Sequence, residues 1–117
     1  MPRLPAWFVD TITVIRAGTR TDRLGDEVPD WDAATEHDVD RCKVNPATGA
    51  ETSGPLDERA ALSRRWILAA PPTADLLASD RVRWMGDVYE VDGEVLPWRS
   101  PHGGVDHLYA ELTRWEG

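Results

Sequence analysis

The order of hydrophobic and polar positions along the chain predicts a protein built mainly of β-strands. In residues 10–18 ("DTITVIRAG"), one face carries Ile12 and Val14 and the other carries Thr11, Thr13 and Ile15. β-Branched residues at this period favour a pleated strand. The first element is therefore predicted to be a strand with one apolar face.

Residues 34–44 and 64–71 are predicted to be two further strands. In the first ("ATEHDVDRCKV"), apolar and polar residues are less clearly separated between the two faces, which indicates a bulge or an edge position. The second ("RRWILAAP") is a short apolar run, typical of a strand buried on both faces. A helix here would be short, because Pro71 and Pro72 would end it.

Residues 80–116 are predicted to form a four-stranded antiparallel meander. Gly86-Asp87 offers a two-residue turn with glycine first, and Asp92-Gly93 is a strong hairpin signal because such turns require positive φ. Pro97 removes one donor from the strand ladder, which indicates an edge or a bulge. The last segment, "DHLYAELTRW", would also fit a helix, but the preceding hairpins favour a strand.

A long inserted loop is predicted between the second and third strands, at residues 45–63. Its first half is rich in Gly, Pro, Thr and Ser. Its second half begins with proline and acids and ends with bases, which is the polarity of a short helix. The acidic stretch at 21–38 fits a long loop, a helix remnant or part of the second strand.

Length and charge narrow the class of protein. A chain of 117 residues predicts one domain over 1–117. It shows neither a signal peptide nor a segment of membrane-spanning length, so we expect a soluble protein with no membrane partner. The formal net charge is −8, and residues 22–58 hold eleven acids against three bases. We therefore expect weak affinity for DNA or RNA, although the acids would also serve as a solvated face.

The candidate chemical groups do not combine into a catalytic or metal site. Ser100, His102 and Asp106 have the residue types of a triad, but they share one local loop, whereas triads assemble from distant segments. With His107 they match no common zinc spacing. Cys42 is expected to be a small packed residue. We expect no catalytic residue, no metal and no cofactor, and therefore no enzyme.

Six tryptophans are a high number for a chain of this length. Trp66, Trp84 and Trp98 lie in predicted strands, where large rings help to fill a small barrel. The other three lie near element ends, where partial exposure suits protein contacts: Trp7, Trp31 and Trp115. Exposed rings also suit a barrel that stacks single-stranded nucleic acid, but that needs a cationic track, and the clustered bases are limited to Arg64, Arg65, Arg81 and Arg83.

An ordered set of features runs from about residue 70 to the end of the chain. It comprises a proline-ended strand, "DRV" at 80–82, a turn at Gly86, Tyr89 and Val91, Gly93, "PW" at 97–98, "PHGG" at 101–104 and a final "EG". In this order the features resemble the C-terminal half of bacteriophage head-to-tail stopper proteins, also called head-closure or head-completion proteins. "TVIR" at 13–16 and "DRCKVNPATGAE" at 40–51 also resemble members from phages of actinobacteria, whereas the acidic stretch at 21–38 departs from the pattern.

The resemblance implies an all-β protein, a small antiparallel β-barrel with a long inserted loop. It also implies a homo-oligomeric ring in the virion neck, made in the host cytoplasm, between portal or adaptor proteins and tail terminator or tail tube proteins. Such a ring closes the DNA-filled head, gates DNA exit and provides the tail docking surface. The alternatives are another ring-forming connector (an adaptor or a tail terminator) and an OB-like barrel that binds single-stranded nucleic acid.

In this family the inserted loop projects into the channel, which by position makes Asn45, Thr48, Gly49, Glu51, Asp57 and Glu58 candidate channel residues. We hypothesise that Glu51, Asp57 and Glu58, with part of 22–40, face the lumen, where carboxylates would repel DNA. A head-to-tail ring needs two different faces on each subunit. The candidate interface residues are Trp98, His102, Gly103, Gly104 and Trp115, with ordinary hairpin packing as the alternative for Trp98.

Overall fold

The computed structural model describes residues 8–47 and 65–115, which form a closed barrel of six antiparallel strands. The strands are β1 (Asp10–Thr21), β2 (Glu27–Pro46), β3 (Arg65–Ala70), β4 (Arg81–Trp84), β5 (Asp87–Arg99) and β6 (Val105–Arg114). Around the barrel they follow the order β1-β2-β3-β6-β5-β4, and β4 closes on β1. The described residues contain no helix, and so none that could cross a membrane. The prediction of a small all-β barrel is confirmed.

Because all neighbouring strands are antiparallel, each connection belongs to one of two barrel ends. The arm end holds the β1–β2 turn, the β3–β4 connection (71–80) and the β5–β6 loop (100–104). The insert end holds the β2–β3 connection and the β4–β5 turn. The acidic turn of β1–β2 and the predicted inserted loop therefore leave the barrel at opposite ends.

The predicted start of the inserted loop needs a correction. Asn45 and Pro46 belong to β2, where they pair with Ile67 and Trp66 of β3. The ladder continues there because β3 begins early enough to supply hydrogen-bonding partners. Residues 48–63, with nearly all of the predicted short helix, lie outside the described residues.

The barrel interior is filled by alternate residues of every strand, with Leu76 of the 71–80 connection added at the arm end. At the insert end, Trp84 lies 5.0 Å from Trp66 and 6.4 Å from Tyr89, measured between ring centroids. The prediction that tryptophans fill the barrel holds for Trp66 and Trp84. It is wrong for Trp98, which is 55% exposed on the outer face.

The apolar run of β3 predicts a strand buried on both faces, and this prediction is wrong. In the structure β3 is buried on one face only. Leu68 and Ala70 point inward and are almost fully buried, whereas Ile67 and Ala69 are half-buried on the outer face. A single-layer barrel has only one interior, so the outer face of a central strand is covered only where other segments cross it.

The segment 80–116 forms three strands, and the predicted four-stranded meander is wrong. β5 runs through Asp92-Gly93 without a turn, and the register with β6 shifts between Asp92 and Leu96. Gly93 uses its positive φ of 88° in this bulge, whereas a two-residue hairpin turn of this type needs positive φ at both central residues. The real turn is Met85-Gly86, with φ of 52° and 85°, one residue earlier than predicted.

Of the three possibilities for residues 21–38, the structure shows a turn followed by the second strand. β2 begins at Glu27, and residues 22–26 connect it to β1. The predicted bulge in the second strand is also present, since the register with β1 shifts between Asp10 and Ile12, opposite Arg41, whose φ is 61°. Pro97 lies where β5 pairs with β6 alone, in agreement with the predicted edge.

Candidate functional site

Two two-stranded arms extend from the arm end of the barrel. β4 pairs with β1 only at 13–15 and with β5 only at 87–90, so the strands beyond those points lose one neighbour. We call residues 17–34 the acidic arm and residues 91–109 the aromatic arm. The β1–β2 pair and the β6–β5 pair are separated by β3 on one side and by β4 on the other. The arms therefore lie on opposite sides of the barrel.

The acidic arm contains five acids and two arginines, and its tip has a defined turn. The Asp22 carboxylate accepts hydrogen bonds from the backbone N–H groups of Leu24 and Asp26, both at 2.9 Å. Gly25 adopts a φ of 86°, which closes the turn. This turn presents Leu24 to solvent with 86% of its surface exposed.

An ion-pair cluster fixes the base of the acidic arm. The Arg16 guanidinium donates to both oxygens of Asp80, from Nε at 3.0 Å and from Nη2 at 2.8 Å. It also forms two hydrogen bonds with Asp75, at 2.9 and 3.1 Å. The Asp80 side chain is 1% exposed, and it further accepts the N–H of Leu77 at 2.8 Å. The cluster therefore ties the 71–80 connection to the arm.

Ion pairing in this cluster shifts the pKa values of Arg16 and Asp75. The hydrogen bond to Asp80, and then the one to Asp75, raises the pKa of Arg16. The hydrogen bond from Arg16 lowers the pKa of Asp75. His37 adds a contact between its Nε2 and the carbonyl oxygen of Asp75, at 2.8 Å. Both charges are therefore stabilised in the folded state.

Arg81 forms a second attachment, because its guanidinium lies between two indole rings. Its central carbon is 3.7 Å from the Trp31 ring centroid and 4.1 Å from that of Trp115. At this distance a cation is attracted to the face of an aromatic ring. Trp31 belongs to the segment 31–34, which bulges against Gly18, where a Cβ would lie 2.9 Å from the Ala33 carbonyl oxygen. A side chain at position 18 would therefore force this bulge to shift.

The aromatic arm carries a set of ring contacts on its outer surface. Trp98 stacks on His107 with 5.9 Å between centroids and a 17° interplanar angle, and it lies 5.7 Å from Tyr109. Leu96 pairs with Tyr109 across the strands and is 45% exposed. We call Leu96, Trp98, His107 and Tyr109 the aromatic face. The cross-strand row continues from Tyr109 through Ala69 to Lys43.

The loop that joins the two strands of this arm has a backbone conformation that requires glycine at two positions. The Ser100 N–H donates to the Gly104 carbonyl and the Gly103 N–H to the Ser100 carbonyl, both at 3.0 Å. Gly103 and Gly104 have φ values of 85° and 77°, which favour glycine. His102 lies in the same loop, so Trp98, His102, Gly103 and Gly104 share one arm, and their role as an interface stays a prediction.

The other predicted site residues do not join this group. Trp115 follows β6 and covers Arg81 from the side opposite the ring of Trp31. Asn45 is an exposed residue of β2. The remaining candidate channel residues lie outside the described residues: Thr48, Gly49, Glu51, Asp57 and Glu58.

The groups considered for chemistry have other partners in this structure. Ser100 Oγ accepts the backbone N–H of His102 at 3.2 Å, while the Asp106 carboxylate contacts His107 at 3.1 Å. Across 8–47 and 65–115, no three His, Cys, Asp or Glu residues are grouped so that they could hold a metal ion. Burial, with smaller contributions from the carboxylates of Asp10 and Asp40, raises the pKa of the Cys42 thiol to about 12. At neutral pH this thiol is protonated and enclosed.

Some charged groups lack an ion-pair partner among the described residues. On the acidic arm these are the five carboxylates, Asp22, Asp26, Glu27, Asp30 and Asp32, and the two guanidinium groups of Arg20 and Arg23. Around the aromatic face they are Lys43 beside Ala69, the exposed Arg99 next to Trp98 in the chain, and Glu111, whose carboxylate accepts a hydrogen bond from Tyr109. The acidic arm thus presents an excess of unpaired negative charge, while Lys43 and Arg99 are unpaired cations beside the aromatic face.

No protein-family model and no curated protein matches the sequence. The fold is similar to the solution structure of protein SF1141 from Shigella flexneri 2a, with a TM-score of 0.62 and 17% identity over 96% of this chain and 98% of that one. A second similar structure is the phage-like element PBSX protein xkdH from Bacillus subtilis, with a TM-score of 0.49 and 18% identity over 92% and 95% of the two chains. At 17% identity, the likeness to the Shigella protein concerns the fold.

Proposed function

We propose that this protein forms a head-to-tail ring in the neck of a long-tailed phage. The ring would lie between portal or adaptor proteins and the tail, close the DNA-filled head, gate DNA exit and provide the surface on which the tail docks. The protein would act as a structural component of the virion, without turnover of a substrate.

The observation that carries this proposal is the pair of chemically different arms on opposite sides of one barrel. A closed ring built from identical subunits needs two unlike surfaces on each subunit, one for each neighbour. The acidic arm and the aromatic arm meet this requirement. The sequence resemblance to head-to-tail stoppers supports the same conclusion, since its "PW" and "PHGG" features lie in the aromatic arm.

The proposed contact with DNA is repulsive, and it belongs to the insert. Glu51, Asp57 and Glu58 lie in the chain segment between β2 and β3, which leaves the barrel at the insert end. The acidic arm lies at the other end, so we assign the lumen role to these three acids and not to residues 22–40. Carboxylates near the duplex would avoid the counterion release that gives basic proteins their DNA affinity.

The test is a DNA-retention assay on phage heads. Heads made without this protein should package DNA but lose it to added nuclease, and purified protein should restore protection. Electron microscopy of the restored particles should show a ring between the portal complex and the tail. Density in the adaptor layer or at the tail end would identify one of the neighbouring connector proteins instead. Heads that retain DNA without the protein would contradict the proposal.

A second candidate function, binding of single-stranded nucleic acid, is favoured by the exposed stack of Trp98 on His107. Bases stack well on such rings, but the binding groove also needs cations along the backbone path. A titration of intrinsic tryptophan fluorescence with oligonucleotides distinguishes the two functions. We expect no quenching at physiological salt, whereas salt-sensitive quenching that is lost in Trp98→Ala would favour the second function.

A further inference from the structure

We propose that the tip of the acidic arm of one copy packs on the aromatic face of the next copy, and that this contact builds the ring. This inference rests on the proposed function for its setting and adds which surfaces meet. The partner is a second copy of this chain.

The first argument is apolar complementarity. Leu24 is 86% exposed at a turn that the Asp22 carboxylate holds in place. The aromatic face offers an apolar surface of suitable size, since Leu96 and Trp98 are 45% and 55% exposed. Because the turn already holds the backbone of Leu24, docking has a small cost in backbone entropy, and burial of the side chain can contribute to association.

The second argument is charge complementarity. Asp26 and Glu27 follow Leu24 on the acidic arm, and neither has an ion-pair partner among the described residues. Lys43 shares the cross-strand row of Tyr109, Arg99 follows Trp98 in the chain, and both are unpaired in the described part of the chain, as is Glu111, which accepts a hydrogen bond from Tyr109. Seating Leu24 on the rings would bring these acids towards the two cations. Such rim pairs set the orientation and the rate of association more than its strength.

The third argument is the placement of the arms. Both extend from the same end of the barrel, but on opposite sides of it. An arm can therefore reach the aromatic face of a neighbour while its own aromatic face stays free for the next subunit. A contact of this kind is heterologous and repeats around a ring.

Disulfide cross-linking tests the contact directly, in concentrated solution and on phage heads. The variant carries Leu24→Cys and Leu96→Cys, because cysteine remains a small apolar residue at both sites. The native Cys42 is buried and its pKa is raised to about 12, so it contributes no background. Oxidation should yield a ladder of covalent oligomers from the double variant and monomers from each single variant. Dimers of a single variant, or no ladder from the double one, would overturn the inference.

Charge reversal provides an independent test. Glu27→Lys and Lys43→Glu should each weaken self-association, and an equal mixture of the two variants should restore it, because the reversed arm then meets a reversed face. Failure of the mixture to recover would contradict the pairing.

A matched pair of exposed turn residues tests the apolar anchor. Leu24→Ser should weaken association about tenfold or more, the equivalent of burying one leucine side chain. Met85→Ser is the control, since Met85 is 80% exposed in a turn at the insert end and should leave association unchanged. Equal losses in both variants would count against the acidic arm as the docking element.

The experiments distinguish a failure of this inference from a failure of the proposed function. If wild-type protein restores DNA retention while the double-cysteine variant forms no ladder on heads, the ring exists but uses other surfaces. If the protein restores nothing on heads, the proposed function fails, and a ladder in concentrated solution would still support the contact.

Discussion

The acidic arm and the aromatic arm are both two-stranded ribbons, but different interactions hold them to the barrel. The acidic arm depends on two point contacts at its base, the buried Asp80 with Arg16 and the enclosed Arg81. The aromatic arm depends on cross-strand contacts of the 55% exposed Trp98 with the less exposed rings of His107 and Tyr109. A buried charge is costly when its partner is lost, whereas each partly exposed ring pair contributes little. Stability should therefore be concentrated in a few residues of one arm and spread over many in the other.

The largest effect is expected for Asp80→Ala at the base of the acidic arm. The substitution removes two acceptors from Arg16 and one from the Leu77 N–H, inside a site where the carboxylate is 1% exposed. Arg16 keeps Asp75 and is 30% exposed, so the loss should come mainly from the Leu77 N–H and the buried space left without a partner, about 2 kcal/mol in the free energy of unfolding. Urea unfolding followed by circular dichroism measures this loss.

Asp75→Ala is the matched control, because Asp75 binds the same guanidinium from a side chain that is 65% exposed. Water replaces an exposed carboxylate at low cost, so its loss should be much smaller than that of Asp80. Equal losses would mean that burial does not decide the strength of this cluster.

A smaller effect is expected for Arg81→Ala, which removes the guanidinium from between Trp31 and Trp115. We expect a loss of about 1–2 kcal/mol in the free energy of unfolding, since cation–π contact and packing of the aliphatic stem both disappear. Arg81→Lys should recover part of it, because lysine keeps the charge but not the planar stacking. Chemical unfolding monitored by tryptophan fluorescence reports on the two rings directly.

The control for Arg81 lies two residues along the same strand. Arg83 forms an exposed ion pair with Glu36, at 2.9 Å, and contacts no aromatic ring among the described residues. Arg83→Ala should therefore have a much smaller effect than Arg81→Ala. If the two substitutions were equivalent, the indole rings would have no special role.

The two arms also differ in how far their structure could be predicted from the sequence. The aromatic arm could largely be predicted, because local alternation and glycine-rich turns specify a ribbon, and the grouping of Trp98 with the 102–104 loop is local. The predicted hairpin at Asp92-Gly93 was wrong because a bulge and a tight turn both use a glycine with positive φ. Only the pairing of β6 past this point decides between them.

The attachment of the acidic arm could not be predicted in the same way. Arg16 and Asp80 are 64 positions apart, and Trp31 and Arg81 are 50 positions apart. No local pattern connects such residues, and the bulge at 31–34 that lets Trp31 reach Arg81 has no glycine or proline of its own. The strong contacts of this arm follow from the closure of the barrel, which sequence periodicity does not specify.

On the aromatic arm, Trp98→Ala should change the free energy of unfolding by less than about 1 kcal/mol. The ring is 55% exposed, so its removal loses one stacking contact and little buried area. Trp84→Ala, in the interior cluster with Trp66 and Tyr89, should cost several times more. Thermal unfolding of the two variants measures the difference. A large loss at Trp98 would show that the aromatic face stabilises the monomer, and would weaken the case for keeping it as a contact surface.

The smallest effect, a pH dependence, belongs to the exposed part of the Arg16 cluster. Arg16 lowers the pKa of Asp75 below its ordinary value of 3.8, with a lesser contribution from His37. A carboxyl whose folded pKa is lowered adds stability above its unfolded pKa and loses that stability as the pH falls through the folded value. The difference in unfolding free energy between wild type and Asp75→Asn should therefore stay constant from pH 7 to about 5 and shrink below about pH 4. Glu36→Gln should behave alike from a slightly higher pH, because Arg83 lowers a pKa whose ordinary value is 4.5. A difference that persists unchanged to about pH 2 would show that Asp75 acts through hydrogen-bond geometry and not through its charge.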